Sequence, residues 1–169
     1  MNHAENKVEW CLKKAEKELK EFGRHRGLIK IKPNLDEARK YIKKAEHYLK
    51  ATQYLKKGDF SDISASTVFY SMYHSLLAIM TKYGYESRNQ ECTFALIKNL
   101  AEDGKITFDK KLLDKISSLE TKGDDEKTST EIREQYQYGV ELSIKDKLYE
   151  ELLQTAKEVL AKTKLILKE

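Results

Sequence analysis

Ser66-Thr67-Val68-Phe69-Tyr70-Ser71-Met72-Tyr73-His74-Ser75-Leu76-Leu77-Ala78 sets aromatic hydroxyls and an imidazole inside an otherwise apolar run. At helical spacing Thr67, Tyr70 and His74 fall on one stripe, and Tyr73 and Leu77 share its flank. Polar groups at such positions cost free energy unless they find partners. The stripe is therefore either a polar seam between packed helices or the wall of a site. In both cases the segment is the central helix of a helical domain.

The flanking sequence supports that fold class. The central helix is predicted to start at Asp59 or Asp62 and to stop near Tyr83-Gly84. Before it, Asn34 with Glu37 three residues on marks the start of a helix whose seam is Leu35, Ala38, Ile42, Ala45, Leu49 and Thr52, ending near Lys57-Gly58. An N-terminal helix is predicted from Glu5 to Phe22, burying Val8, Cys11, Leu12, Ala15, Leu19 and Phe22, with Gly23 as its stop. The connector from Gly23 to Pro33 reads as extended or irregular. After the central helix, apolar periodicity predicts helices at 89–101, 109–119 and 144–167. A further one, capped by Ser129 or Thr130, carries Ile132, Arg133, Tyr136 and Val140, and 121–127 reads as a mobile acidic loop. The expected fold is all-α. Residues 1–33 form a basic N-terminal helix and connector, residues 34–169 a helical bundle, and the whole is one compact unit.

Composition agrees. Charged residues make up 36% of the 169, and the single proline is Pro33, a profile of solvent-lined helices rather than strands. The formal charge of +4 conceals an asymmetry. Residues 1–60 carry 16 Lys and Arg against 9 Asp and Glu, whereas the remainder carries 16 against 19. The excess suits either an anionic partner or a solvated helix face supported by Lys–Glu pairs.

Cys11 and Cys92 lie far apart and form no ligand array, so they are expected as reduced thiols, with no metal site. No apolar run reaches membrane-spanning length and the first residues do not resemble a signal peptide, which leads to an expected cytoplasmic location. Neither GxGxxG nor a P-loop occurs, and no Ser or Cys sits in a nucleophile-elbow context, so no cofactor is implied and serine-type hydrolysis is disfavoured.

Two further clusters bear on function. Arg133-Glu134-Gln135-Tyr136-Gln137-Tyr138 holds a fork-shaped anion ligand in Arg133. On a straight helix Arg133, Tyr136 and Gln137 share a face, whereas Tyr138 lies well round the cylinder. A joint site for Arg133 and Tyr138 needs a helix end, a distortion or a second subunit. Otherwise Arg133 pairs with an acidic neighbour and the tyrosines pack. His25, between Arg24 and Arg26, makes the connector a candidate phosphate contact or simply a solvated loop. Cys92 and Thr93 fit either cap chemistry or a cleft wall, and the cap is the favoured reading.

Together these segments resemble the HEPN superfamily. Phe69-Tyr70-Ser71-Met72-Tyr73-His74 looks like that family's central helix, Asn89-Gln90-Glu91-Cys92-Thr93-Phe94-Ala95-Leu96 like the start of its next helix, and Arg133 to Tyr138 like its late Arg-led motif. The leading segment with Trp10-Cys11-Leu12 looks like the N-terminal extension of a largely archaeal branch. The resemblance covers about residues 35–165. It implies an antiparallel bundle of four to five helices with an additional N-terminal helix, usually a homodimer, its polar motif residues lining a cleft. Many members are metal-independent endoribonucleases whose Arg-x4-6-His motif acts on the scissile phosphate across a dimer. Others pair with a minimal nucleotidyltransferase as toxin and antitoxin.

This sequence departs from that motif. Tyr138 stands in the histidine's place, Glu134 replaces a small polar neighbour, and no histidine follows His74. Tyrosine, with a pKa of about 10, is a poor general base at neutral pH. The leading expectation is therefore a non-catalytic or weakly catalytic binding module for a nucleotide, an RNA or a companion protein. Its ligand-binding residues are Arg133, Tyr70, Tyr73, His74 and Tyr138. The enzymatic alternative is a metal-independent endoribonuclease in which Arg133, His74 and Tyr138 act together. The remaining alternative is a purely structural interaction protein.

Overall fold

The computed structural model describes residues 2–117 and 127–169, and within them the chain is almost entirely helical. The helices are α1 (His3–Phe22), α2 (Leu35–Lys57), α3 (Ser61–Lys82), α4 (Gln90–Glu102), α5 (Lys110–Ile116), α6 (Ser129–Tyr138) and α7 (Asp146–Lys168). Two short strands, β1 (Leu28–Lys30) and β2 (Tyr85–Ser87), pair antiparallel with Leu28 opposite Ser87. Except for Lys127, the acidic loop expected at 121–127 lies outside the described residues, as does Leu119.

Local chemistry explains most boundaries. Asn2, Asn34, Asn89 and Asp109 each accept a backbone N–H of the first turn that follows. Thr128, one residue before the expected caps Ser129 and Thr130, makes a full capping box with Glu131. α3 starts differently from the Asp59 or Asp62 expectation. Asp59 takes the left-handed φ of 63° that turns the chain between α2 and α3, and Phe60 precedes the helix with no side-chain cap. α7 begins two residues later than its periodicity suggests: the backbone at Lys145 is still extended, with ψ 136°, and the Ile144 N–H before it donates to the buried Ser61 hydroxyl at 2.9 Å.

α3 is the central element. It packs against α2, α4, α6 and α7 and buries Val68, Phe69, Met72, Leu76, Ile79 and Met80 almost completely. Its partner α2 presents a narrow stripe of Ala38, Ile42, Ala45 and Thr52. Small residues there let the backbones approach closely enough for α3 hydroxyls to reach across. Ser71 donates to the Ala45 carbonyl at 2.8 Å, Ser64 to the Thr52 carbonyl at 3.2 Å, and Thr52 and Thr67 share a hydrogen bond of 2.8 Å. Each buried hydroxyl is thereby partnered.

The connector, expected as extended or irregular, holds a short strand, β1, between irregular ends. β1 pairs with β2, and Gly84, at φ 82°, brings its backbone against Ile31 and Pro33. Gly27 packs on α1 so closely that a Cβ would stand 2.7 Å from the Cys11 carbonyl oxygen. His25 is buried here with Nε2 3.3 Å from Glu86, which also accepts from Arg88 at 3.0 Å. This burial takes His25 out of the expected phosphate contact and out of solvent, because β-pairing carries Glu86 to it, whereas Arg24 and Arg26 on either side are exposed.

The cysteines are corrected as well. Cys11 and Cys92 form a disulfide, fully buried, joining α1 to the start of α4 with 5.9 Å between Cα atoms. Sequence distance concealed this, because only the antiparallel docking of α1 on α4 brings residues 81 positions apart together. That docking also leaves Leu19 and Phe22 exposed, contrary to their periodicity: α4 begins level with Cys11, so the last turns of α1 overhang it.

Two outcomes follow. Reduction, or the Cys11→Ala/Cys92→Ala pair, lowers stability by about 2–4 kcal/mol, the cost of freeing a long loop; denaturant midpoints with and without reductant should shift for the wild type and not for the double variant. Ala45→Leu overpacks the α2–α3 seam and costs about 1–3 kcal/mol in the same assay.

Candidate functional site

The polar stripe of α3 faces two neighbours. Tyr70 and His74 turn towards α2, where the Tyr48 ring lies 5.7 Å from Tyr70 and 5.2 Å from His74, and the Tyr41 ring lies 6.1 Å from His74. Tyr73 turns towards α4: its hydroxyl is 3.1 Å from that of Thr93, which also donates to the Asn89 carbonyl at 3.0 Å. Thr93 thus joins the cap at the start of α4 and reaches the aromatic cluster too. Tyr41 and Tyr48 were not singled out in the sequence. Their seven-residue spacing, on the flank of the α2 seam, is the signal that could have found them.

His74 is half-buried. Its Nδ1 lies 2.8 Å from the Tyr70 carbonyl oxygen, an acceptor only, so Nδ1 carries the proton and Nε2 presents its lone pair. Burial pushes its pKa below the ordinary histidine value, the bond to the Tyr70 carbonyl opposes that, and the nearby Lys44 charge reinforces it. Burial likewise raises the Tyr73 and Tyr41 hydroxyls above their ordinary value. These directions favour the uncharged forms of His74, Tyr73 and Tyr41, and the Lys44 ammonium borders the cluster 5.2 Å from the centre of the Tyr48 ring.

Arg133, on α6, is buried at 8% exposure with its guanidinium carbon 5.0 Å from the centre of the Phe69 ring. One terminal nitrogen donates to Gln137 at 2.6 Å, as their shared face suggests, and the other lies 3.4 Å from Glu134. Its Nε–H is buried without an acceptor among the described residues. Such a donor is rare and marks a place where a ligand atom would be welcome. Phe69 in turn stacks on Tyr73 at 6.0 Å and meets Tyr70 edge-on at 5.5 Å. Contacts from Arg133 to His74 therefore run through Phe69 and a tyrosine.

Tyr138 stands apart. It is the last residue of α6 and is 78% exposed, on the α6 end rather than beside the Phe69-stacked guanidinium. A cleft of about 340 Å³ beside Glu134 is lined also by Phe94 and Thr130 and roofed by His3 and Lys7 of α1, whereas Gln137, the other partner of Arg133, lines a separate groove with Tyr136 and Val140. Phe94 also packs edge-on against Tyr73 at 6.4 Å, so the cleft and the aromatic cluster share a wall. Among the described residues no group of His, Cys, Asp and Glu side chains is arranged to hold a metal ion.

A family model described as HEPN domain matches residues 38–166, from the first turn of α2 to the end of α7. No curated protein matches the chain.

The lowered His74 pKa has a testable sign. A histidine whose folded pKa lies below its unfolded value contributes stability that is present above the unfolded pKa and lost as pH falls towards the folded one. NMR titration should place His74 below the ordinary histidine value. Relative to His74→Gln, the wild type should lose stability as pH drops below about 6.5.

Proposed function

The chain belongs to the HEPN domain family, and on that premise we propose that it is a non-catalytic or weakly catalytic binding module for a nucleotide, an RNA or a companion protein, rather than an efficient ribonuclease. The observation that carries this reading is Arg133, an orphan buried N–H on a guanidinium with no imidazole beside it. The side chain in the motif histidine's place, Tyr138, is an exposed phenol. The imidazole in the seam, His74, is separated from Arg133 by Phe69 and has its Nδ1 proton committed to a backbone carbonyl. Arg133 supplies anion recognition, and Tyr70, Tyr73 and His74 supply an uncharged aromatic wall.

The working unit is a homodimer. Tyr138, Val140 and Leu142 are 78%, 92% and 80% exposed, and Val140 and Leu142 border one groove with Ile63. That much apolar surface beside the motif helix suits a second copy, which would also bring Tyr138 into a covered site. A minimal nucleotidyltransferase, as in toxin and antitoxin pairs of the family, is the companion protein of choice. Among the described residues no helix is long and apolar enough to cross a membrane. The reading places the chain in the cytoplasm. A buried disulfide there, with a Lys- and Glu-rich composition, fits the intracellular proteins of hyperthermophiles.

Wild type and Arg133→Ala, with Arg133→Lys as a folding control, are to be compared against a nucleotide panel and a labelled RNA pool without metal. The expected outcome is saturable binding weakened at least about tenfold by Arg133→Ala, the loss of a charged hydrogen bond, with no new 2′,3′-cyclic phosphate ends. Cleavage that disappears with Arg133 would instead establish the endoribonuclease, and binding that survives Arg133→Ala undiminished would remove this residue from the site.

A further inference from the structure

The outer face of α2 is not used by anything described so far. α2 holds seven Lys and Arg against three Asp and Glu, an excess as large as the +4 of the whole chain. Each acid is engaged: Asp36 binds Arg39 at 2.9 Å, Glu37 binds Lys40 at 2.8 Å, and Glu46 binds Lys164 of α7 at 2.5 Å. Lys43, Lys44 and Lys50 are exposed and make no ion pair among the described residues. With 3.6 residues per turn, Lys43, Lys50, Tyr54 and Lys57 lie within about 60° of arc, so they form a nearly straight row along the helix.

Tyr54 interrupts that row with a ring that is 78% exposed. One turn separates it from Lys50 on one side and from Lys57 on the other. Lys44, at the edge of the row, lies over the Tyr48 ring and connects it to the aromatic cluster around His74. An ammonium row calls for a polyanion with regularly spaced charges. The exposed Tyr54 ring set into it calls for a flat, unstacked base, which a duplex does not offer. An anionic membrane surface would want apolar side chains to insert, and this face offers only tyrosine.

We propose that the outer face of α2 is a docking track for a single-stranded polynucleotide: Lys43, Lys50 and Lys57 hold successive parts of the backbone, Tyr54 stacks on a base, and Lys44 leads the strand towards the Tyr48–His74 cluster. The proposal rests on the reading of the chain as a binding module and adds a surface separate from Arg133.

The test is fluorescence anisotropy of labelled 15-nucleotide oligouridine, oligodeoxythymidine and a duplex of equal length, over a range of salt. The proteins are wild type, Lys43→Gln/Lys44→Gln/Lys50→Gln, Tyr54→Ala, Arg133→Ala, and a control with the same loss of charge, Lys13→Gln/Lys17→Gln/Lys20→Gln. The control removes α1 lysines that each already face a glutamate. The α2 triple should weaken single-strand binding about tenfold and reduce the slope of log affinity against log salt by about 2, from about 0.7 per phosphate contact. Tyr54→Ala should weaken it about fivefold or more. Binding of either single strand, lost in this pattern, supports the track, and the tighter of the two names the sugar.

Four results would overturn the track: no single-strand binding by wild type, duplex binding as tight or tighter, an unaffected α2 triple, or an equal loss in the α1 control. Loss with Arg133→Ala alone would overturn the track and leave the Arg133 site standing. Loss with the α2 variants alone would keep the track and remove Arg133 as the anion ligand.

Discussion

The close approach of α2 to α3 is the constraint from which the rest of the molecule follows. Ala38, Ala45 and Thr52 keep the α2 side thin, and hydroxyls on α3 close the gap, Ser64 and Ser71 by donating to α2 main-chain carbonyls and Thr67 by sharing a hydrogen bond with the Thr52 hydroxyl. A seam of leucines would hold the same helices further apart and leave Ser64 and Ser71 buried without partners. Because α3 is buried on nearly every side, its orientation against α2 also sets where its remaining faces point. Tyr73 then meets Thr93 of α4, and Phe69 lies under Arg133 of α6.

The same geometry gives the polar stripe two roles. Thr67 and Ser71 act as structural partners inside the seam. On the flank of that seam Tyr41 and Tyr48 of α2 stand beside its alanines and form an aromatic cluster with Tyr70 and His74, the imidazole half-buried at its edge. The two roles are thus divided by the face of the helix, since Ser71 meets Ala45 at the level where its neighbour Tyr70 meets Tyr48.

Legibility in the sequence followed the range of the interactions involved. Helices were readable because capping groups such as Asn34 and Asn89 and the apolar periodicity act within a few residues. The shared face of Arg133 and Gln137 was readable for the same reason. What escaped depended on partners distant in sequence. The burial of His25 needs Glu86 from β2, and the disulfide needs α1 laid antiparallel on α4. The Phe69 platform under Arg133 needs α6 laid on α3. Tyr41 and Tyr48 were visible as residues, but nothing local showed that they face His74.

The N-terminal helix bears on the site although it lies outside the matched residues 38–166. Its tether, Cys92, sits in the first turn of α4, next to Thr93, whose hydroxyl meets Tyr73. Farther along α1 towards its start, His3 and Lys7 roof the cleft whose other walls are Phe94, Thr130 and Glu134, the neighbour of Arg133. A helix docked only by its apolar stripe of Ala4, Val8, Cys11 and Ala15 would hold this roof weakly, since three of those four side chains are small. The covalent bond supplies what the small stripe cannot. It fixes α1 at Cys11, one turn beyond Lys7, and so holds the His3–Lys7 end over the cleft beside Glu134.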